Sequence, residues 1–127
     1  MRKEPVFVGS PVAGAPYSPG IVVGDLVFVS GQIPIDPTTG AVVAGEFEDR
    51  VRQCITNVGA VLEQAGSDLD HVVKVVVFLT DMQNFARMNR VYGEFWGTVK
   101  PARSCVQVGA LPLGVDIEIE AIGIRKG

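Results

Sequence analysis

The sequence predicts an α+β domain, and three observations carry the prediction. Residues 46–65 repeat apolar side chains at three- and four-residue steps, the signature of an amphipathic helix. Residues 72–79 form a nearly continuous run of Val, Phe and Leu, as expected of a strand buried on both faces. Residues 101–108 and 115–120 alternate polar and apolar, the period-2 pattern of half-buried strands. With 127 residues, 47% of them hydrophobic, the chain is read as one domain over 1–127 with an adequate core.

In chain order, Val6, Phe7 and Val8 make a short candidate strand. Two further strands, at 21–23 and 26–29, flank Gly24-Asp25, a tight hairpin signal. The run Asp36-Pro37-Thr38-Thr39-Gly40 is a turn, followed by a candidate strand at 41–43. In the first helix Phe47, Val51, Cys54, Ile55, Val58, Val61, Leu62 and Ala65 share one stripe. Glu46, Glu48 and Asp49 occupy its first turn, where the helix dipole favours acids, and Gly66 ends it. After the 72–79 strand, Asp81 offers a cap. Phe85, Met88, Tyr92, Phe95 and Trp96 then mark a second helix that stops at Gly97, with Asn89 on or beside its apolar stripe. The expected order is β-β-β-α-β-α-β-β, with both helices packed on one face of the sheet.

The last two strands are expected to pair as a hairpin through 109–114, with Val108 opposite Val115. That register sets Arg103 opposite Glu120 and Cys105 opposite Glu118. One sheet face then gathers a guanidinium, a thiol and two carboxylates. Two helices cover only one face, and Leu26, Phe28 and the 72–79 run supply apolar groups to both. Burial of the second face in a closed homo-oligomer resolves this.

Composition excludes several classes. A net charge of −3 without a Lys/Arg run argues against a nucleic-acid binder. No apolar run approaches the ~20 residues of a membrane span, and the N-terminus is not read as a secretory signal. Cys54 and Cys105 are expected to be free thiols in a reducing cytoplasm. His71 is the only histidine and has no ligand-spaced neighbour, so no metal site is expected. Phosphate-loop, dinucleotide and G-x-S-x-G motifs are absent, and no cofactor is expected.

Across nearly its whole length the chain resembles the Rid family of reactive-intermediate deaminases, also called the YjgF family. The resemblance rests on Ala15-Pro16-Tyr17-Ser18, on Val29-Ser30-Gly31-Gln32-Ile33-Pro34 and on Met88-Asn89-Arg90-Val91-Tyr92. It continues through Pro101-Ala102-Arg103-Ser104-Cys105-Val106, Leu111-Pro112 and Glu118-Ile119-Glu120. It implies a chorismate-mutase-like fold and a homotrimer with sites between subunits. It also implies hydrolysis of small 2-imino acids, such as 2-aminoacrylate, to 2-keto acids and ammonia. The matching site positions are Tyr17, Gly31, Asn89, Arg103, Cys105 and Glu118. Leu113 departs from a common lysine, Trp96 from phenylalanine and Gly123 from alanine.

Each residue also has a plain structural role open to it. Arg103 could make a cross-strand pair with Glu120, worth about 0.2–1 kcal/mol; in the Pro-Ala-Arg-Ser-Cys context it is expected to clamp a substrate carboxylate, which suits its rigid bidentate fork. Glu118 is either a solvated strand carboxylate or the group that holds and deprotonates water. Cys105 has no histidine partner and is expected to form a site wall rather than act as a nucleophile. Tyr17 is a packing residue or a lid, Asn89 a local hydrogen-bonding residue or part of the cleft, and Gly31 permits close approach. Cys54, Met88 and Trp96 are assigned to the core, and His71 to the surface. The expected activity is cofactor-independent imine hydrolysis in the cytoplasm. The alternative is a module that binds 2-keto acids without turnover, and an endoribonuclease fits poorly with the acidic balance.

Overall fold

A computed structural model describes all 127 residues. The elements follow the expected order: β1 (Glu4–Val6), β2 (Gly20–Val23), β3 (Leu26–Gln32), α1 (Phe47–Gln64), β4 (Val72–Leu79), α2 (Phe85–Tyr92), β5 (Ala102–Gln107) and β6 (Ile117–Ile124). They build one six-stranded sheet in the order β1-β2-β3-β6-β4-β5. Every pairing is antiparallel except that of β4 with β5.

The turn between β2 and β3 forms where the Gly-Asp pair predicts it. Val23 faces Leu26 across it, and Gly24 takes a φ of 57°, which glycine adopts without strain. Helix α1 starts with the backbone N–H of Glu46 donating to the Asp49 carboxylate at 3.0 Å. It stops just before Gly66, whose φ is 80°. Its stripe of Val51, Cys54, Ile55, Val58 and Leu62 is fully buried. The stripe packs on Val27 and Val29 of β3 and Ile119 and Ala121 of β6, all pointing to one side of the sheet.

Four expectations are corrected. The 41–43 segment contributes a single bridge, Ile35 to Val42, rather than a strand. Helix α2 ends at Tyr92 instead of running to Gly97: the next residues tighten, with Glu94 N–H donating to Val91 and Phe95 N–H to Tyr92, and the chain breaks at Trp96, whose φ of 80° sets the indole in the core. Strand β4 is buried on one face only. Val75, Val77 and Leu79 are inaccessible, whereas Lys74, Val76 and Phe78 remain partly open.

The fourth correction moves the site. β5 and β6 do not form a hairpin, because β4 lies between them. β5 pairs with β4 in parallel, Val75 opposite Arg103 and Val77 opposite Cys105. β6 pairs with the other edge of β4, Phe78 opposite Glu118 and Val76 opposite Glu120. The most apolar strand thereby has both of its hydrogen-bonding edges satisfied by neighbours. The 108–116 connection crosses the end of β4, with Val108 N–H donating to Leu79 at 2.8 Å and Thr80 N–H to Asp116 at 3.3 Å. The face away from the helices stays open and carries exposed apolar side chains, Leu26 at 40%, Phe28 at 39% and Ile124 at 39%, beside Lys74, Glu118 and Glu120.

Candidate active site

Residues opposite each other on neighbouring strands point to the same side of a sheet. Arg103 and Cys105, opposite the buried Val75 and Val77, therefore point towards the helices. Glu118 and Glu120, opposite Phe78 and Val76, point away from them. The expected face-sharing of Arg103 with both glutamates is thus overturned, and so is the Arg103–Glu120 ion pair.

Arg103 sits on the edge strand beneath α2. Its Nη1 donates to the Asn89 side-chain oxygen at 2.7 Å and lies 3.9 Å from the Met88 sulfur. Its Cζ is 4.7 Å from the centre of the Tyr92 ring and 5.5 Å from that of Phe85. None of the ion pairs in the structure includes it. The guanidinium is fixed in a half-buried position entirely by neutral groups, so its charge is uncompensated.

Cys105 is next to it, half-buried against the core. Burial raises its thiol pKa, and the neighbouring Arg103 offsets this only in part. The thiol is therefore protonated near neutral pH, poor equipment for a nucleophile. The Tyr92 hydroxyl, also buried, is pushed up to about 12, again with Arg103 opposing.

Gly31 links the remaining two residues, sharing a cavity with Tyr17 and touching Glu118. Ser30 ties the Tyr17 loop to β3, its hydroxyl donating to the Ser18 carbonyl at 2.6 Å and its N–H to Pro19 at 2.9 Å. Tyr17 itself is well exposed. Beyond Gln32 the chain leaves the sheet, and the Asn57 amide holds it through the carbonyls of Ile33 (3.2 Å) and Ile35 (2.9 Å). Tyr17, Gly31, Ile33, Asn57 and Val61 line a cavity of about 510 Å³. The Glu118 carboxylate leans on Gly31 so closely that a Cβ there would overlap it. Burial, reinforced by the negative charge of Glu120, raises the Glu118 pKa above the ordinary glutamate value.

The six sequence-predicted residues are thus not all brought together: Asn89, Arg103 and Cys105 gather beneath α2, the Glu118 carboxylate lies against Gly31 on the opposite face, and Tyr17 shares with Gly31 a cavity that α1 also lines. The first group offers an uncompensated cation beside a thiol, and Glu118 a carboxylate of raised pKa. Sequence reading assigned Phe85 and Tyr92 only to the helix stripe. Their spacing around Asn89 places all three on one face of α2, a signal that becomes functional once β5 is known to lie beneath. No three His, Cys, Asp or Glu side chains gather where they could hold a metal. Cys54 and Trp96 are core residues as expected, and the His71 ring pairs with Asp68 at 2.6 Å on the surface.

Residues 8–125 match the family described as Endoribonuclease L-PSP. A RutC family protein of Pyrococcus abyssi is 48% identical, over 99% of this chain and 100% of its own. The 2-iminobutanoate/2-iminopropanoate deaminase of Salmonella typhimurium is 43% identical, over 99% and 100% respectively. Among solved structures, Escherichia coli TdcF with bound serine superposes with a TM-score of 0.86 at 41% identity, covering 97% of this chain and 99% of that one.

Proposed function

The chain belongs to the Rid family, and from that premise we propose that it hydrolyses small 2-imino acids to 2-keto acids and ammonia, without a cofactor. The observation that carries the reading is the uncompensated, rigidly held guanidinium of Arg103. A buried or half-buried cation without a counter-ion is unfavourable on its own. A substrate carboxylate supplies the missing charge and accepts a bidentate pair from the free guanidinium edge.

With the carboxylate held, the imine carbon is already electrophilic, and catalysis amounts to placing water and balancing protons. Water adds to the carbon of the protonated imine, C=NH2+, while Glu118 takes one water proton, giving a neutral tetrahedral carbinolamine. Glu118 then gives that proton to the nitrogen; as the C–N bond breaks and ammonia leaves, it takes the hydroxyl proton while the C=O bond forms, and the departing ammonia carries that proton away as ammonium. A raised pKa suits a carboxylate that must both take and return a proton near neutral pH. Cys105 walls the site, and Asn89 orients Arg103. Tyr17 walls the cavity beside Gly31, and Gly31 makes room for the Glu118 carboxylate.

Arg103 and Glu118 of one chain lie on opposite faces, so the reaction requires a second copy. We assign the active unit to a closed homotrimer in which the Arg103 face of one subunit meets the Glu118 face of the next. The exposed apolar side chains of the open sheet face support this. No helix is long and apolar enough to cross a membrane, and the proposed site of action is the cytoplasm. The serine bound to TdcF favours a second reading, a module that binds small acids without turnover.

The discriminating experiment generates 2-imino acids with an amino-acid oxidase or dehydratase and follows their disappearance. Faster loss with the protein, abolished in Arg103→Ala at unchanged circular dichroism, is the expected result. Binding of 2-keto acids without acceleration selects the module instead.

A further inference from the structure

Arg103 needs two properties that conflict. Its guanidinium must be immobile to aim at a substrate carboxylate, yet it must keep its full charge to attract one. An internal carboxylate would meet the first need and defeat the second. The structure resolves the conflict with rings. The cation lies over Tyr92 and Phe85, whose negative π-faces attract it without neutralising it. The amide oxygen of Asn89 fixes the remaining direction.

Tyr92 is the nearer ring, and it is itself held. Trp96 lies against it with ring centres 5.0 Å apart and planes inclined by 40°. The chain accepts a φ of 80° at Trp96, an uncommon conformation for a bulky residue. The Tyr92 hydroxyl is buried and has no hydrogen-bond partner. A hydroxyl in that state is not what anchors the residue, so its contribution is the ring face turned to Arg103.

We infer that Tyr92, with Phe85, is a positioning residue for the anion site: the two rings of α2 hold the Arg103 guanidinium in place while leaving its charge available to the substrate carboxylate. The role in turnover rests on the deaminase reading above, whereas the effect on the guanidinium itself does not.

Two measurements test it. The first is the NMR signal of the Arg103 Nε–H group, assigned by its disappearance in Arg103→Lys. A proton held over an aromatic face is shielded, so the signal should move downfield in Tyr92→Leu and return towards its original place in Tyr92→Phe. The second is kinetic. Tyr92→Leu should raise KM for the imino acid, and the dissociation constant of 2-oxobutanoate, by about tenfold, with kcat changed by less than about twofold. Tyr92→Phe, which keeps the ring, should rescue both. Phe85 is partly exposed, so Phe85→Leu tests the same idea without risk to the core and should give a smaller rise, its ring being farther from the cation.

Unchanged KM and an unmoved signal in both leucine variants would overturn the inference. So would a phenylalanine variant as impaired as the leucine one. Imine loss that the unsubstituted protein does not accelerate sinks the deaminase reading instead, and the NMR signal then still decides whether Tyr92 positions the cation.

Discussion

The carboxylate of Glu118 fills the space that a side chain at residue 31 would need. The two residues belong to different strands, β6 and β3, so the fit is tertiary. It turns the glycine into a condition for the position of the proposed base.

The first expectation follows directly. Gly31→Ala should displace Glu118 and lower kcat by about a hundredfold, the lower end of what a general base contributes. The effect should vanish in a Glu118→Ala background, where nothing remains to be displaced. A full additional loss in the double variant would show that residue 31 acts by another route. Circular dichroism checks that both variants stay folded.

The acidic limb of the rate profile should report the same carboxylate. Its pKa is raised by burial first and by Glu120 second. The ionised form is the base, so activity falls as pH drops through the raised value. Glu120→Gln removes the like charge and should move that limb to lower pH, short of the ordinary value because burial remains. Stability runs the other way. Between the ordinary and the raised value the native state holds more protons than the unfolded chain, so Glu118 becomes destabilising as pH rises through that window. Glu118→Gln should remove this loss, as denaturant unfolding at several pH values would show.

These residues also mark what the sequence made legible. Helix α1 and strand β4 are local patterns and were readable at their observed bounds to within a residue or two. Alternation in 101–108 and 115–120 correctly indicated strands. But a period of two says only that neighbours point to opposite sides; it names neither the partner strand nor the face. The intervening β4 decided both, and placed Arg103 and Glu118 on opposite sides of the sheet. Trp96 is buried as expected, but the end of α2 at Tyr92 escaped prediction for the opposite reason. The helical spacing of Trp96 is real, yet the indole is buried with Trp96 itself at a φ of 80°, a backbone conformation against local preference.

Covalent catalysis through Cys105 is a separate matter that one substitution decides. With its thiol held protonated by burial, Cys105→Ser should keep kcat/KM within about tenfold. Near-total loss would restore the thiol as nucleophile. Iodoacetamide provides a second reading. Cys54, fully buried and with its pKa pushed up by that burial, should be alkylated only after unfolding.

Acid sensitivity should arise between the helices. Arg87 on α2 grips Glu48 on α1 with two bonds, Nη2 at 2.7 Å and Nε at 3.0 Å. The guanidinium draws the Glu48 pKa from 4.5 down to about 2. A lowered carboxylate pKa contributes stability that is complete above the ordinary value and is lost as pH falls from there towards about 2. Arg87→Gln should lower stability at neutral pH and flatten its decline in acid. Denaturant midpoints measured across the acid range check both, and an unchanged acid limb would dissociate the pair from stability.

Assembly is the expectation on which the proposed chemistry most depends, because one chain holds its cation and its carboxylate on opposite sides of a sheet. Phe28 on β3 and Ile122 on β6 are directly opposed on the open face, with Phe78 on the next strand. None of these side chains supports the α1 core, so a charge there need not disturb folding. Phe28→Asp should leave the circular dichroism of the chain intact while sedimentation shows monomers. Imine hydrolysis should be lost along with assembly, although Arg103, Asn89 and Tyr92 are untouched. A monomer with undiminished activity would place the base within the same chain as Arg103, and Glu118 would have to be replaced in that role. A mixture of inactive Arg103→Ala and inactive Glu118→Ala chains gives the complementary result: recovered activity arises only if mixed assemblies contain a cleft with an intact arginine from one copy and an intact glutamate from another.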